Sequence, residues 1–274
     1  MEEQLNHIKE LVESQNTQSS HIITITSGKG GVGKSNIALN LALALSLKGK
    51  KVVLVDADTN MGNIDILTGI NPKYNFLNYI LDNIPINNIL YSYKAGLSII
   101  PNSSGNKTWQ DLTDTMHSRI LELLIKLKKN FEYIIIDTAG GLASLSLDIA
   151  VHSNKVLLVT TSEPTAINDT YAMIKILNSM KKNIPIDLLL NMVTSPSEVT
   201  DVYQRLTLVL DHFLDFSIGI AGYVILDGKV RQAVNQQEPF ILLYKDSVAG
   251  KNINDIADIL FENELVEQNG INYK

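Results

Sequence analysis

The chain has 274 residues and no cysteine, which leaves room for one large α/β domain or two small ones. It also rules out disulfides, thiolate catalysis, Fe–S clusters and Cys-based zinc sites. An apolar content of 45% supplies a sizeable core, and a mean hydropathy of +0.07 is that of an ordinary soluble globular protein. The net charge of −6 and pI near 5.4 argue against broad nucleic-acid binding. Basic clusters such as Lys126, Lys128 and Lys129, or Lys181 and Lys182, read as solvated helix ends.

The opening segment "MEEQLNHIKELVESQ" is acidic and lacks an apolar h-region, so it does not read as a signal peptide, and a cytoplasmic location is expected. A short helix over Glu2–Glu13, followed by the polar "SQNTQSS", makes residues 1–20 an appendage with its linker. The first strand is expected over His21–Thr26 and the first domain helix over Ser35–Lys48. The apolar part of that helix, "IALNLALALSL", has 11 residues and is interrupted by Asn40. A bilayer span needs about 20 residues, so this is a buried helix of a globular core.

Further strands are expected over Lys51–Asp56, Leu97–Ile100, Tyr133–Asp137, Lys155–Thr160, Ile186–Asn191 and Ile220–Ile225. Helices are expected over Thr115–Asn130, Ala143–His152, Thr165–Met180 and Pro196–Leu214. Strands such as "EYIIIDT" and "KVLLVTT" are continuous apolar runs, as needed when helices cover both faces of a parallel sheet. The alternation predicts one doubly wound α/β domain, residues 21–265, with a mostly parallel sheet. Near its end a helix should place Ile253, Ile256, Ile259 and Leu260 on one buried face, and residues 266–274 form a short tail.

Between the first strand and first helix lies "TSGKGGVGKSN", residues 26–36. The pattern G-x-x-x-x-G-K-[ST] matches from Gly28 through Gly33 to Lys34 and Ser35. In such a loop consecutive backbone N–H groups form an anion nest backed by a helix N-terminus. Lys34 would reach the β and γ phosphates, and the Ser35 hydroxyl would ligate Mg²⁺. Mg²⁺ wants hard oxygen ligands, and acidic residues stand at strand ends on the same sheet edge: Asp56 and Asp58 in "VVLVDAD", and Asp137 in "YIIIDTAGG". Asp137 would hold the metal directly or through water. Asp58 is the better candidate to orient attacking water, because phosphoryl transfer is mostly positioning and charge stabilisation. The N-K-x-D signature of guanine readers is missing: "LLLNMVTS" offers Asn191 without the following lysine or aspartate, which favours adenine. One lysine, Lys34, suffices for a phosphate loop, yet Lys29 adds a second.

The loop resembles that of the deviant Walker A (MinD/ParA) ATPases, K-G-G-x-G-K-[ST]. The resemblance runs from about residue 21 to 262 and includes "VVLVDAD", "YIIIDTAGG", "TSEPTAINDTYAMIKIL" and "DGKVRQAVNQQEPF". It implies an ATPase that binds ATP or ADP with Mg²⁺ and forms an ATP-dependent face-to-face homodimer. Lys29 would be the signature lysine, reaching the partner's nucleotide. Gly28, Gly30, Gly31, Val32, Gly33, Lys34, Ser35 and Asn36 would form the phosphate site. Asp56 and Asp58 would be the switch I pair, with Asp56 joining Ser35 and Asp137 at the metal. Asp137 would open switch II, and Asn191 would contact adenine.

Within the superfamily, the absence of cysteine sets aside the nitrogenase iron proteins and Fe–S carriers. The tail's single tyrosine, Tyr273, sets aside the tyrosine autokinases, and the net charge disfavours the DNA-binding partitioning branch. The stretches "DADTNMGNIDILTGINPKYNFLNYIL", "AGLSIIPNSSG" and "EQLNHIKEL" resemble the FlhG (FleN) branch, which regulates flagellar number and placement. That resemblance implies that residues 2–13, through Glu3, Gln4, Ile8, Lys9 and Leu11, stimulate a partner GTPase of the FlhF kind. Flagellar C-ring proteins or a flagellar transcription regulator are further implied partners; direct contact with nucleic acid is not expected. The chain departs from the branch pattern at three places: Thr59, Asn60 and Met61 precede Gly62, Leu226 stands where a proline is common, and Asn36 stands where a threonine is usual.

Relatives of this kind usually end in a basic amphipathic helix that lies on anionic lipid. From Lys251 to Lys274 this chain carries two lysines against five acidic residues, a net of −3. Either the protein lacks the membrane element or the chain is cut before it, so a peripheral position at the inner face of the cell membrane is not expected from these residues. Two other readings remain at this point: a division-site ATPase of the MinD kind, and a scaffold that binds nucleotide without hydrolysing it.

Overall fold

The computed structural model describes residues 20–58, 62–102 and 113–268. The helix expected over Glu2–Glu13 and the segment Thr59–Met61 lie outside the described residues. Among the described residues eight strands form one sheet in the order β3-β4-β2-β5-β1-β6-β7-β8. They are β1 (His21–Thr26), β2 (Val52–Ala57), β3 (Tyr91–Ser92), β4 (Ser98–Ile100), β5 (Tyr133–Thr138), β6 (Lys155–Thr160), β7 (Ile186–Val193) and β8 (Gly219–Ile225). Every neighbouring pair is parallel except β3–β4, which makes an antiparallel edge.

Strand side chains alternate between two faces, and each face is sealed by its own helices. On one face Ile23, Ile25, Leu54 and Ile135 pack against α1 (Lys34–Leu47) and α11 (Val248–Gln268). On the other, Ile22, Val53, Ile134 and Ile136 meet α3 (Phe76–Asp82), α5 (Asp114–Lys128) and α6 (Ser144–Val151). Farther along that face, Val156, Leu158, Leu188 and Leu190 meet α7 (Pro164–Met180) and α8 (Pro196–Leu214). Shorter helices α2 (Ile64–Thr68), α4 (Ile86–Ile89), α9 (Gly228–Asn235) and α10 (Phe240–Leu243) fill the connections.

The expected strands and the five domain helices are all present, with ends moved by up to two residues. Strand β3 and helices α2, α3, α4, α9 and α10 were not anticipated. Asn40, the polar break in α1, is fully buried and bridges two elements. Its Nδ2 donates to the Asn36 carbonyl at 2.8 Å and its Oδ1 accepts from Ile241 N at 3.0 Å, which ties α1 to α10. The last helix corrects one expectation: Ile253, Ile256 and Leu260 are buried, but Ile259 is 39% exposed. The buried stripe runs through Ala249, Ile253, Ile256, Ala257 and Leu260, so a small residue, Ala257, completes it.

Candidate nucleotide site

Strands β1, β2 and β5 end side by side, and the carboxyl ends of parallel strands are where α/β sheets bind ligands. Residues 27–33 leave β1 and turn into α1. Gly33 caps this helix in the left-handed conformation, φ 90°, which favours glycine, and a Cβ there would come within 2.3 Å of the Asn191 amide. Gly28 passes so close to α7 that a Cβ would sit 2.2 Å from the Asp169 carbonyl oxygen. Gly30 and Gly31 face open space, where an added Cβ would meet nothing within 4 Å. The loop therefore packs on its protein side and leaves backbone accessible on the other, as an anion nest requires. Val32 is buried beneath it.

Around the start of α1 charges are concentrated. Lys34 is buried, and burial lowers its pKa, opposed by the nearby Asp137 and Asp58 carboxylates. Asp56 and Asp137 are direct cross-strand partners in the β2–β5 ladder, so two fully buried carboxyls stand next to each other. Asp56 is raised well above the usual carboxylate range by burial and then by Asp137. Its oxygens are engaged: Oδ1 accepts from Asp58 N at 3.1 Å, and Oδ2 accepts from Asn63 N at 3.1 Å and Ile64 N at 3.2 Å. Asp56 thus holds the backbone of Asp58 and the first turn of α2, whose N-cap residue Asn63 supplies no side-chain capping hydrogen bond.

Asp137 differs. Both of its carboxylate oxygens are buried without a hydrogen-bond partner, and burial pushes its pKa up to about 7 against the lowering influence of the Ser35 hydroxyl and Lys34. The Ser35 hydroxyl is thus near enough to act on the carboxylate without forming a well-aligned hydrogen bond to it. A buried carboxylate whose oxygens lack partners, beside a hydroxyl and a lysine, is the hard-oxygen set that suits Mg²⁺ with a phosphate. The residues present fit that group.

Lys29 lies on the outer lip. Its Nζ donates to Glu163 Oε2 at 2.7 Å and to Thr165 Oγ1 at 3.0 Å, with the lysine side chain 38% and the glutamate 64% exposed. The backbone below it is braced. Ser27 Oγ donates to the Lys29 carbonyl at 2.6 Å, Gly141 N donates to the Ser27 carbonyl at 2.8 Å, and Gly140 packs against Lys29 and Gly30. The segment after Asp137 is therefore in direct contact with the loop that carries Lys29.

Asn191 is buried under the loop, and its Nδ2 donates to the Val32 carbonyl at 2.8 Å. Its amide donor is engaged with the loop backbone. Asn36 sits in the first turn of α1, with its carbonyl accepting from Asn40. Sequence reasoning did not single out Glu163, Thr165 or Asn102. Asn102 is buried and its Nδ2 donates to the Asp58 carbonyl at 2.8 Å. Their only signal was membership of the stretches "TSEPTAIND" and "IIPNSSG".

With this geometry in hand, comparison with known proteins is specific. The family model described as ParA, NUBPL iron-transfer P-loop NTPase, matches residues 18–261. The chain belongs to the ParA family of P-loop NTPases. Without cysteine, this ParA-family chain has no thiolate with which to hold an iron cluster. It is 36% identical over 236 residues to the antiactivator FleN of Pseudomonas aeruginosa, covering 86% of this chain and 84% of FleN. It is 31% identical over 249 residues to the flagellum site-determining protein YlxH of Helicobacter pylori, covering 89% of this chain and 83% of that one. Among solved structures it resembles the MinD cell division protein of Aquifex aeolicus, with TM-score 0.73, 27% identity, and coverage of 89% and 98% of the two chains. Helices on both faces of a mostly parallel sheet are thus shared with the MinD/ParA P-loop NTPases. Among the described residues, no helix is long and apolar enough to cross a membrane.

Proposed function

We propose that this protein is an ATP-hydrolysing dimerisation switch that regulates flagellar number or placement. The observation that carries the reading is the division of labour in one loop: Lys34 is buried among carboxylates, whereas Lys29 is half-exposed on the lip. Similarity to FleN and YlxH, both named for flagellar roles, supports the output. ATP would lie with its phosphates on the N–H groups of residues 29–35, its triphosphate charge countered by Lys34. Mg²⁺ held by Ser35 and Asp137 would neutralise further phosphate charge and orient the γ-phosphate. Asp58, fixed through its backbone by Asp56 and Asn102, would position water for attack. Asp56 would organise that segment through its backbone hydrogen bonds while standing beside Asp137 at the metal.

Lys29 would leave Glu163 and Thr165 and contact the nucleotide of a second copy across the sandwich, completing each site with a group from the partner, as an arginine finger does. Hydrolysis, slow and dependent on the dimer, resets the monomer. Flagellar assembly proteins receive the output, and residues 2–13 would engage an FlhF-like GTPase. The cytoplasm is the proposed location. In domain terms, residues 21–265 are the switch, with 1–20 and 266–274 as appendages.

Light scattering of wild type and Lys29→Ala, each with ATP and Mg²⁺, tests the switch. Wild type should shift to dimer and the variant should stay monomeric while still binding ATP; equal dimerisation in both would remove the trans role. A division-site role has support in the likeness to MinD proteins, such as 29% identity to that of Bacillus subtilis. Deleting residues 2–15 separates the two readings, since loss of FlhF GTPase stimulation is expected only of the flagellar one.

A further inference from the structure

Away from the nucleotide site, α5 and α6 bring together His117, Asp148 and His152. One ligand atom from each lies within 4.8 Å of the others. Thr113 accepts from Met116 N to start α5, which puts His117 on its first turn. Asp148 and His152 are four residues apart at the end of α6, a spacing that sets both on one helical face. The three side chains are only 19%, 16% and 25% exposed. The rings of His117 and His152 meet edge to face with centroids 5.4 Å apart.

We propose that His117, Asp148 and His152 form a binding site for a divalent transition-metal ion of the Zn²⁺ class, clamping α5 to α6. The donor set is two imidazoles and one carboxylate, which suits Zn²⁺ and its first-row neighbours; Mg²⁺ demands oxygen ligands in an octahedron. The ligands are already oriented. His117 Nδ1 shares a 2.7 Å hydrogen bond with Asp148 Oδ2, and His152 Nδ1 lies 2.8 Å from the Asp148 carbonyl oxygen. These contacts already bring the three groups together; metal binding takes neutral imidazoles and would replace the proton shared by His117 and Asp148. A tetrahedral ion about 2.0–2.2 Å from each ligand wants them roughly 3.5 Å apart, a spacing between the 2.7 Å of the His117–Asp148 contact and the 4.8 Å that bounds the cluster. A fourth position is left for water.

The clamp has a place in the switch. Helix α6 follows directly on the segment 139–143 that packs under Lys29, and Ser146 Oγ donates to the Ala139 carbonyl at 3.2 Å. An ion at the far end of this eight-residue helix, about 12 Å away, would hold α6 against α5 and restrain that segment.

The test uses the full chain, stripped with chelator and free of nucleotide so that phosphate oxygens cannot ligate. Co²⁺ is titrated while its visible d–d absorption is followed, and Zn²⁺ is titrated by calorimetry. The chain has five histidines and no cysteine, so competing sites are few. One ion per chain should bind with a tetrahedral Co²⁺ spectrum, and His117→Gln and His152→Gln should each weaken it roughly 100-fold or more. His212→Gln should change nothing. Circular dichroism and ATP binding confirm that each variant is folded; if either cannot be made folded, Asp148→Asn takes its place. Absence of a d–d band, or equal affinity in wild type and the two histidine variants, overturns the proposal and leaves a hydrogen-bonded triad that joins two helices.

Discussion

The two lysines of one eleven-residue loop live in different environments. Lys34 is 7% exposed and faces Asp137 and Asp58, so its charge is answered within the chain. Lys29 is solvent-facing, and its partners, Glu163 and Thr165, are 134 and 136 residues away on another loop and the start of α7. A buried cation among carboxylates costs too much to be incidental: desolvation must be offset by partners, and a triphosphate with its metal would supply them. An exposed ion pair is worth little, about 0–1 kcal/mol, so Lys29 is held lightly and released readily. The inner side of the loop is built to hold a ligand, and the outer side is built to let go.

Changes on the inner side should have the largest effects. Asp58→Asn should cut ATP hydrolysis by about 10²–10⁴-fold, in line with loss of a group that positions or accepts a proton from water. Phosphate release measures it, and light scattering should show ATP-dependent dimers intact. A wild-type hydrolysis rate in this variant would shift the water-positioning role elsewhere.

Asp137→Asn should abolish Mg²⁺-dependent hydrolysis yet stabilise the nucleotide-free fold at pH 8. Burial raises the folded pKa of this carboxyl to about 7 from 3.8. Stability from the protonated form is therefore full below the unfolded pKa and is lost as pH rises through about 7. At pH 8 the folded chain carries a buried charge whose oxygens lack partners, and the amide relieves it. The gain should be about 2 kcal/mol, shrinking toward pH 5, and denaturant melts at the two pH values would measure it.

The outer side should respond least. Glu163→Ala removes the internal partner of Lys29 and should shift ATP-dependent dimerisation to lower protein concentration by about two- to fivefold. Stability should change by no more than about 0.5 kcal/mol. A shift to higher concentration would mean that Glu163 assists the dimer.

How much of this was legible in the sequence follows the same division. The phosphate loop, the ends of β2 and β5 and the apolar helix α1 are local patterns, and their chemistry sits within a few residues of the pattern. The contacts that assign Asp56 to the backbone of Asn63 and Ile64, Asn191 to Val32, and Lys29 to Glu163 are tertiary, and no periodicity encodes them. The elements not anticipated, β3 and helices α2 to α4, α9 and α10, are two to eight residues long. Such pieces are too short for a period to register. Ile259 was expected on the buried face from its three-residue spacing to Ile256; on the helix it falls at the edge of that face, and Ala257 occupies the inward position. His117 and the pair Asp148–His152 fall in two helices that were both expected, but their meeting depends on how those helices pack.

The central claim is that Lys29 completes a site in another copy of the chain. Mixing Lys29→Ala with Asp58→Ala tests it directly. In a mixed dimer the Lys29→Ala subunit keeps its own Asp58 and would receive Lys29 from its companion, so one of the two sites is whole. Hydrolysis in the equimolar mixture, at protein concentrations high enough to pair the subunits, should recover to as much as about a quarter of wild type, while each variant alone stays inactive. A mixture as inactive as its components would show that Lys29 serves only the nucleotide of its own chain, and the account of a subunit-completing switch would fail.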